Sequence, residues 1–220
     1  MITDSSEHAR FNMVQQQIRP WEVFDQRVLD VLNTLPRDTF VPAAYRKLAY
    51  ADTEIPIAEN QRMMCPKLEA RLLQALHIKP GDKILEVGTG SGFLTACLAK
   101  LGSQVVSLEI HPELSTTAEA ALAGHGIDNV KLMTADAFAG ELPDGPYDAI
   151  AITGSLPQVP DDWKRLLNSG GRLFAVCGEA PVMEAWLITR TGDDSWHSEG
   201  LLETELQPLE NAPSQSRFEF

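Results

Sequence analysis

Three closely spaced glycines, Gly88, Gly90 and Gly92, form the segment of this sequence with the clearest potential for ligand binding. They follow the apolar run KILEV and precede the helical run FLTACLAKL, so they lie between a predicted strand and a predicted helix. Glycines at that junction let a ligand approach the backbone closely, beyond the carboxyl end of a parallel sheet. Because glycine loops are common, the side chains at the neighbouring strand ends decide which ligand fits.

Acidic residues occupy the ends of the first three predicted strands. Glu86 stands just before the glycine loop, Glu109 ends QVVSLE, and Asp136 follows VKLMT with Ala137 and Phe138 after it. Glu109 is placed to accept hydrogen bonds from two ribose hydroxyls, and Asp136 can accept one from an adenine amino group. Glu86 can pair with a ligand amine.

Two ligands compete for this arrangement. A dinucleotide fold requires G-x-G-x-x-G and a pyrophosphate at the helix N-terminus. Here the third glycine comes one residue earlier, and the Glu86 carboxylate would repel a pyrophosphate. A cationic nucleoside without phosphate, S-adenosylmethionine, fits better. The structural alternative is a tight glycine turn with incidental acids.

The elements around these residues alternate regularly from Lys79 onward. Strands KILEVG, QVVSLE, VKLMTAD, YDAIAIT and RLFAVC alternate with helices, which predicts an α/β fold with a doubly wound, Rossmann-like, mostly parallel sheet. AWLITR and LLETELQPL follow each other across a Gly-Asp-Asp turn, as an antiparallel edge pair would. Residues 1–66 are expected to form a helical and loop lead-in, broken at Arg19–Pro20, and residues 67–220 the core of the same single domain.

Composition excludes several classes of function. The 220 residues are 44% hydrophobic and carry a formal net charge of −13, which argues against a nucleic-acid partner. No apolar run is long enough to span a membrane. The three cysteines have neither C-x-x-C spacing nor a nearby histidine pair, so we predict no disulfide framework and no metal site. The expected location is a reducing cytoplasm.

From about Met13 to Gly178 the chain resembles the protein-L-isoaspartate O-methyltransferase family. The matching segments are MVQQQI, DQRVLDVL, PRDTFVP, YADTEIPI, PGDKILEVGTGSGF, PYDAIAIT and NSGGRLFAVCG. The resemblance implies a class I methyltransferase fold and S-adenosylmethionine as the cofactor. It also implies that the glycine loop and the strand ends contact the cofactor, in agreement with the prediction from the residues themselves. The predicted cofactor-binding residues are Glu86, Gly88, Gly90, Gly92, Glu109, Asp136 and Ala137.

The sequence departs from the family between Gln61 and Pro66. The family usually has Gly-Gln-Thr-Ile-Ser followed by any residue and Pro, whereas this chain has Asn-Gln-Arg-Met-Met-Cys-Pro. Arg62 therefore replaces the threonine, and Met64 replaces a serine that the family associates with the substrate carboxylate. Losing one hydroxyl donor to an anion costs roughly 1.5–3 kcal/mol, which weakens activity without abolishing it. Met64 also places an apolar side chain where a carboxylate would lie.

The segment Arg62-Met63-Met64-Cys65, called the acceptor loop below, is expected to line the acceptor side of the active site. Arg62 can clamp a carboxylate, or the Met pair can line a pocket for a less polar acceptor. Packing of Met63 and Met64 beneath the N-terminal segment is the alternative. Cys65 is either a reactive thiol at a helix N-terminus or a loop-packing residue.

These observations predict an S-adenosylmethionine-dependent methyltransferase with changed acceptor choice. The acceptor is a protein or peptide carboxylate or a small molecule, and isoaspartyl peptide is expected to be a weak substrate. The alternative is a catalytically weak cofactor-binding module that acts in sensing or scaffolding.

Overall fold

The computed structural model describes residues 3–140 and 142–213. Its N-terminal part is a lead-in of short helical elements and one small hairpin. The helices are α1 (Thr3–Asn12) and α2 (Gln26–Thr34), separated by a π-helical segment (Met13–Ile18) and a 3-10 turn (Arg19–Trp21). Two further 3-10 segments (Arg37–Thr39 and Ala43–Leu48) lead to strands β1 (Ile55–Pro56) and β2 (Arg62–Met63), which pair antiparallel.

The predicted break at Arg19–Pro20 lies slightly later in the chain. Pro20 lies in the first turn of the 3-10 segment, which follows the π-helical segment without a break in helical backbone geometry. The helical path therefore continues to Trp21 and ends at Glu22, whose backbone is left-handed with φ 60°. Asp25 then caps α2 by accepting a hydrogen bond from the Arg27 N–H.

A seven-stranded sheet with flanking helices forms the rest of the described chain. The helices are α3 (Pro66–Leu76), α4 (Phe93–Leu101), α5 (Pro112–Gly124) and α6 (Asp161–Arg165). The strands are β3 (Lys83–Val87), β4 (Gln104–Glu109), β5 (Val130–Thr134), β6 (Tyr147–Leu156), β7 (Leu167–Glu179), β8 (Val182–Gly192) and β9 (Ser195–Glu203). Their order is β5-β4-β3-β6-β7-β8-β9, with parallel pairing up to β7 and antiparallel pairing of β8 and β9.

The two faces of this sheet pack into two apolar cores. Alternate side chains of β3 show the division, because Ile84 belongs to the core beneath the lead-in, α3 and α4, whereas Leu85 belongs to the core beneath α6. The lead-in contributes Met13, Val14 and Ile18 to the first of these cores, all three fully buried. The predicted doubly wound, mostly parallel α/β sheet with an antiparallel edge pair is confirmed.

The last strand differs from the predicted one. Pairing with β8 starts at Ser195, directly after the turn, because a short hairpin loop fixes the register of the strand that follows it. β9 therefore ends at Glu203, before most of LLETELQPL. Residues 206–211, called the closing segment below, leave the hairpin and run beside Ser155, whose N–H donates to the Gln207 carbonyl at 2.9 Å.

None of the helices in residues 3–140 and 142–213 combines the length and the apolarity that crossing a membrane requires.

Candidate active site

The glycine loop is tied to the ends of β4 and β6. The Gly88 and Thr89 N–H groups donate to the Leu108 carbonyl at 2.8 and 3.2 Å. Gly88 has φ +98°, and a Cβ there would lie 2.2 Å from Thr153 Oγ1, which donates to the Gly88 carbonyl. Only glycine fits this position. The loop thus presents bare backbone to a cleft that lies between the carboxyl ends of β3, β4, β5 and β6 and the closing segment, called the cleft below.

Gly92 has a different task from Gly88 and Gly90. It stands at the N-terminus of α4 with φ +81°, and a Cβ there would lie 3.0 Å from the Ala118 Cβ of α5. Gly88 and Gly90 line the cleft, whereas Gly92 lies outside its wall. Its position suits close packing of α4 against α5, and the predicted contact between Gly92 and the cofactor stays a prediction.

Glu109 ends β4 with its carboxylate fixed at the rim of the cleft. Its side chain is 4% exposed, Oε2 accepts from the Gly90 N–H at 2.8 Å, and Oε1 accepts from the His111 N–H at 3.0 Å. Each carboxylate oxygen keeps a further lone pair. Glu109 is therefore held in one orientation and can still accept hydrogen bonds from two neighbouring hydroxyls.

Asp136 lies across the same cleft, after β5. Its Oδ1 accepts from the Phe138 N–H at 2.8 Å, and its Oδ2 accepts from the Asn211 side-chain amide at 2.7 Å. Ala137 and Phe138 also line the cleft, and the Phe138 ring stacks on Trp163 with centroids 5.1 Å apart. This corner thus offers a carboxylate acceptor beside an aromatic ring, which suits a purine with an exocyclic amine.

The structure gives Glu86 a different place from the one predicted. Its side chain is fully buried on the α4 side of the sheet, and Oε2 accepts from Thr95 Oγ1 and Ser107 Oγ, each at 2.6 Å. Burial raises the pKa of Glu86 to about 8, against the opposing effect of the Ser107 and Thr95 hydrogen bonds. Glu86 does not line the cleft, so it supports the loop from below and does not pair directly with a ligand amine.

The closing segment covers the other side of the cleft. Glu210 Oε1 accepts from Gln61 Nε2 at 2.8 Å and lies 2.9 Å from His111 Nε2. Leu209 packs over the glycine loop, and Gly154 leaves room for it, since a Cβ there would lie 2.8 Å from Leu209 Cδ2. Residues 149 positions apart along the chain therefore meet across one cleft.

The acceptor loop divides into an exposed half and a buried half. Arg62 is exposed and lines the cleft, an adjoining cleft toward Glu179 and Glu205, and a small cavity between the acceptor and glycine loops. Its guanidinium forms no ion pair within the part of the chain that the structure describes. Met63 and Met64 are buried in the core beneath the lead-in, α3 and α4, and both also line the small cavity.

Cys65 is the N-cap residue of α3, and its thiol lies outside the walls of all three cavities. Burial is the main cause that raises its pKa above the ordinary thiol value, with Asp52 and Glu69 adding to the shift. A raised pKa lowers the thiolate fraction, and the thiolate is the nucleophile. This geometry favours the packing interpretation of Cys65 over the reactive thiol.

Besides the contact between Gln61 and Glu210, sequence reasoning missed a buried pair of residues at this site. Arg37 and Glu69 form a buried bidentate ion pair, and the Arg37 Nη2 also donates to the Met64 carbonyl at 2.6 Å. Burial raises the pKa of Glu69, while the Arg37 guanidinium opposes the shift. Glu69 interrupts the apolar face of α3, which was the only indication of the pair in the sequence.

Comparison with known proteins gives these residues a context. The family model for protein-L-isoaspartate(D-aspartate) O-methyltransferase matches residues 8–212. This chain belongs to the protein-L-isoaspartate O-methyltransferase family. It is 38% identical over 193 residues to the protein-L-isoaspartate O-methyltransferase of Methanoculleus marisnigri, covering 87% of this chain and 88% of the relative. With protein-L-isoaspartate O-methyltransferase 1 of Rhodopseudomonas palustris it shares 36% identity over 201 residues, 91% of this chain and 82% of the relative.

A solved structure supports the fold of this family member. A Plasmodium falciparum protein-L-isoaspartate O-methyltransferase, crystallised in complex with S-adenosyl-L-homocysteine, superposes with a TM-score of 0.77 at 22% identity, covering 93% of this chain and 98% of that one. At this identity the likeness concerns the fold. The predicted membership of the protein-L-isoaspartate O-methyltransferase family is confirmed, and S-adenosyl-L-methionine is the methyl donor of that family.

Proposed function

We propose that this protein transfers a methyl group from S-adenosyl-L-methionine to a carboxylate held by Arg62, with an acceptor preference that the acceptor loop sets. Family membership supports the reaction class. The relatives described above carry the isoaspartate name, so a shifted preference rests on this chain's own residues. The observation that carries it is the Arg62 guanidinium, which has no ion-pair partner among residues 3–140 and 142–213 and lies where the cofactor cleft meets the small cavity.

The residues around the cleft fit the proposed methyl donor. Glu109 would accept the ribose hydroxyls, Asp136 the adenine amine, and the backbone of Gly88 and Gly90 would lie against the methionine part. None of these positions needs a phosphate partner, and the carboxylates of Glu109 and Asp136 disfavour one. The donor supplies a methyl group that its sulfonium makes electrophilic.

The chain's own contribution to the reaction is alignment and exclusion of water. A carboxylate acceptor is already an anion at neutral pH, so it needs no general base. Arg62 would hold one of its oxygens by a charged hydrogen bond. Met63, Met64 and Leu209 would supply apolar walls. A hydroxyl donor at position 64 is absent, so the proposed site binds the acceptor through one cation and apolar contacts.

The test is a methyl-transfer assay with S-adenosyl-L-methionine that compares an isoaspartyl peptide, its aspartyl twin and a metabolite extract. We expect weak transfer to the isoaspartyl peptide and stronger transfer to another carboxylate in the extract. Efficient and selective isoaspartyl methylation would refute the shifted preference and leave the relatives' activity in place. Tight S-adenosylhomocysteine binding with no product from any acceptor would favour the binding-module alternative.

Substitution of Met64 by Ser tests the acceptor loop directly. A hydroxyl there adds one donor to an anionic acceptor, so kcat/KM for the isoaspartyl peptide should rise about 10–100-fold. Arg62→Ala should lower transfer to carboxylates by a similar factor, whereas Arg46→Ala, an exposed arginine outside the cleft, should not. If Met64→Ser folds normally and leaves isoaspartyl methylation unchanged, the loop does not set acceptor choice.

A further inference from the structure

Arg37 is a fully buried charged residue, with no exposed side-chain surface. Its Nε and Nη2 donate to the two carboxylate oxygens of Glu69, each at 3.1 Å. Nη1 donates to the Ala49 carbonyl at 3.0 Å, and Nη2 also donates to the Met64 carbonyl at 2.6 Å. The guanidinium carbon lies 5.2 Å from the centre of the Phe93 ring.

These contacts join four separate parts of the molecule. Ala49 belongs to the lead-in, Met64 to the acceptor loop, and Glu69 to α3, and Phe93 is the first residue of α4, directly after Gly92 of the glycine loop. Glu69 also lines the small cavity between the two loops. One planar guanidinium therefore contacts both the acceptor loop and the residue that follows the glycine loop.

Stability alone is a poor explanation for this arrangement. Taking two charges out of water costs several kcal/mol per ion, and well-packed apolar residues often replace a buried ion pair at no loss of stability. The surroundings are already apolar, since Leu68, Leu72, Leu73 and Leu94 are buried in the same core. What an apolar pair would not reproduce is the hydrogen bonds to the Ala49 and Met64 carbonyls, and the second of these holds the acceptor loop.

We propose that Arg37 is a positioning residue for methyl transfer, which fixes the acceptor loop against the glycine loop through the Met64 carbonyl while Glu69 orients its guanidinium. The expected loss of methyl transfer rests on the proposed function, whereas the expected loosening of the acceptor loop does not. Holding the Met64 carbonyl fixes the backbone from which Met64 and Arg62 project. The glycine loop keeps its own hydrogen bonds to Leu108 and Glu109, so cofactor affinity should not depend on Arg37.

The test is the charge-neutral double variant Arg37→Met with Glu69→Leu, because a single substitution would leave an unpaired buried charge. Three measurements are made: thermal unfolding, calorimetric binding of S-adenosylhomocysteine, and hydrogen exchange of the amides of residues 62–65. We expect a cooperative unfolding transition with a lowered midpoint, because the buried Ala49 and Met64 carbonyls lose their donor. We also expect cofactor affinity within about twofold and loop exchange at least about tenfold faster. Disruption of the remote pair by Asp161→Asn, which faces Lys164, should leave loop exchange unchanged.

Methyl transfer supplies the functional measurement, with the isoaspartyl peptide as acceptor. We expect the double variant to lose at least about tenfold in kcat/KM at unchanged cofactor affinity. If the wild type transfers too little to this peptide for a rate to be measured, which agrees with the proposed shift in acceptor preference, the exchange measurement alone decides the role of Arg37. A folded double variant with wild-type exchange in residues 62–65 would overturn the inference.

A second variant covers the case in which the double variant does not fold. Arg37→Lys keeps a cation opposite Glu69, but a single ammonium cannot reach Glu69, Ala49 and Met64 in the geometry of a planar fork. Faster exchange in residues 62–65 with retained S-adenosylhomocysteine binding would support positioning. Wild-type exchange would show that the charge alone suffices and would overturn it.

Discussion

At the scale of single residues, two carboxylates near the glycine loop show how orientation separates roles. Glu86 and Glu109 each belong to the end of a central strand and differ little in burial. Glu109 turns to the cleft and is held by two backbone N–H groups, whereas Glu86 turns to α4 and is held by two hydroxyls. Glu109 can therefore take part in ligand binding, whereas Glu86 is a buried structural residue beneath the glycine loop.

Substitution of Glu109 by Ala tests the ribose contact. Removing an ionic hydrogen-bond acceptor should weaken S-adenosylhomocysteine binding by about 1–3 kcal/mol, measured by calorimetry. Glu119→Ala, an exposed glutamate on α5, is the matched control and should bind as the wild type does. Equal affinities for all three proteins would remove Glu109 from the cofactor site.

Substitution of Glu86 by Gln tests whether the raised pKa of this buried carboxyl makes the stability of the protein depend on pH. Burial raises the pKa of Glu86 from 4.5 to about 8, so the folded state holds a proton that the unfolded state releases between these values. The wild type should lose stability as pH rises through this window, and Glu86→Gln should not. The free energy of unfolding of the variant minus that of the wild type should rise by about 1 kcal/mol per pH unit between pH 5 and 8. Above pH 8 this difference should level off.

Urea unfolding of both proteins at several pH values measures this difference. Other titrating groups are common to the two proteins, so their effects cancel in the comparison. A difference that does not change with pH would mean that Glu86 is ionised throughout in the folded state.

At the scale of elements, the sequence predicted buried segments well and exposed ones poorly. β4 and α4 begin and end where predicted, because a core strand and a core helix must be apolar over their whole length. The bounds of β9 were predicted too late in the chain because it is an edge strand with mostly exposed side chains, so its sequence, SWHSEGLLE, has no apolar alternation to detect. Its position follows from the turn before it.

The candidate site divides in the same way. Residues at strand ends, such as Glu109 and Asp136, were found because parallel strands bring their carboxyl ends to one edge of the sheet. The face of the sheet on which the Glu86 side chain lies could not be predicted from the sequence, because it depends on which face of β3 packs against α4. Arg37 and Glu69 are 32 residues apart, and Gln61 and Glu210 are 149 apart. No local pattern encodes such pairs.

The closing segment yields a prediction about cofactor release. Glu210→Ala removes the contacts to Gln61 and His111 that hold the segment over the cleft. S-adenosylhomocysteine should then dissociate about 3–10-fold faster, the equivalent of roughly one net hydrogen bond, as measured by stopped-flow displacement. Glu203→Ala, at the exposed end of β9, is the control. Unchanged release from the Glu210 variant would mean that the segment does not restrain the ligand.

At the scale of the whole molecule, the net charge of −13 affects encounter with acceptors. Long-range repulsion should slow the approach of an anionic acceptor, and salt should screen it, because the Debye length falls from about 30 Å at 0.01 M to about 10 Å at 0.1 M. We expect kcat/KM for an acidic peptide to rise with salt in this range. A basic peptide with the same acceptor residue should show the opposite slope, and equal slopes would contradict the prediction.

The wide separation of Gln61 and Glu210 also bears on how the molecule reaches its native state. Contacts between distant residues cost the most chain entropy to close and form slowly. The parallel strands and the N-terminal core can assemble before the closing segment arrives, so the complete cleft should be among the last features to form in refolding. Recovery of S-adenosylhomocysteine binding after dilution from denaturant would then lag behind recovery of tryptophan fluorescence, and the ligand would report the end of folding.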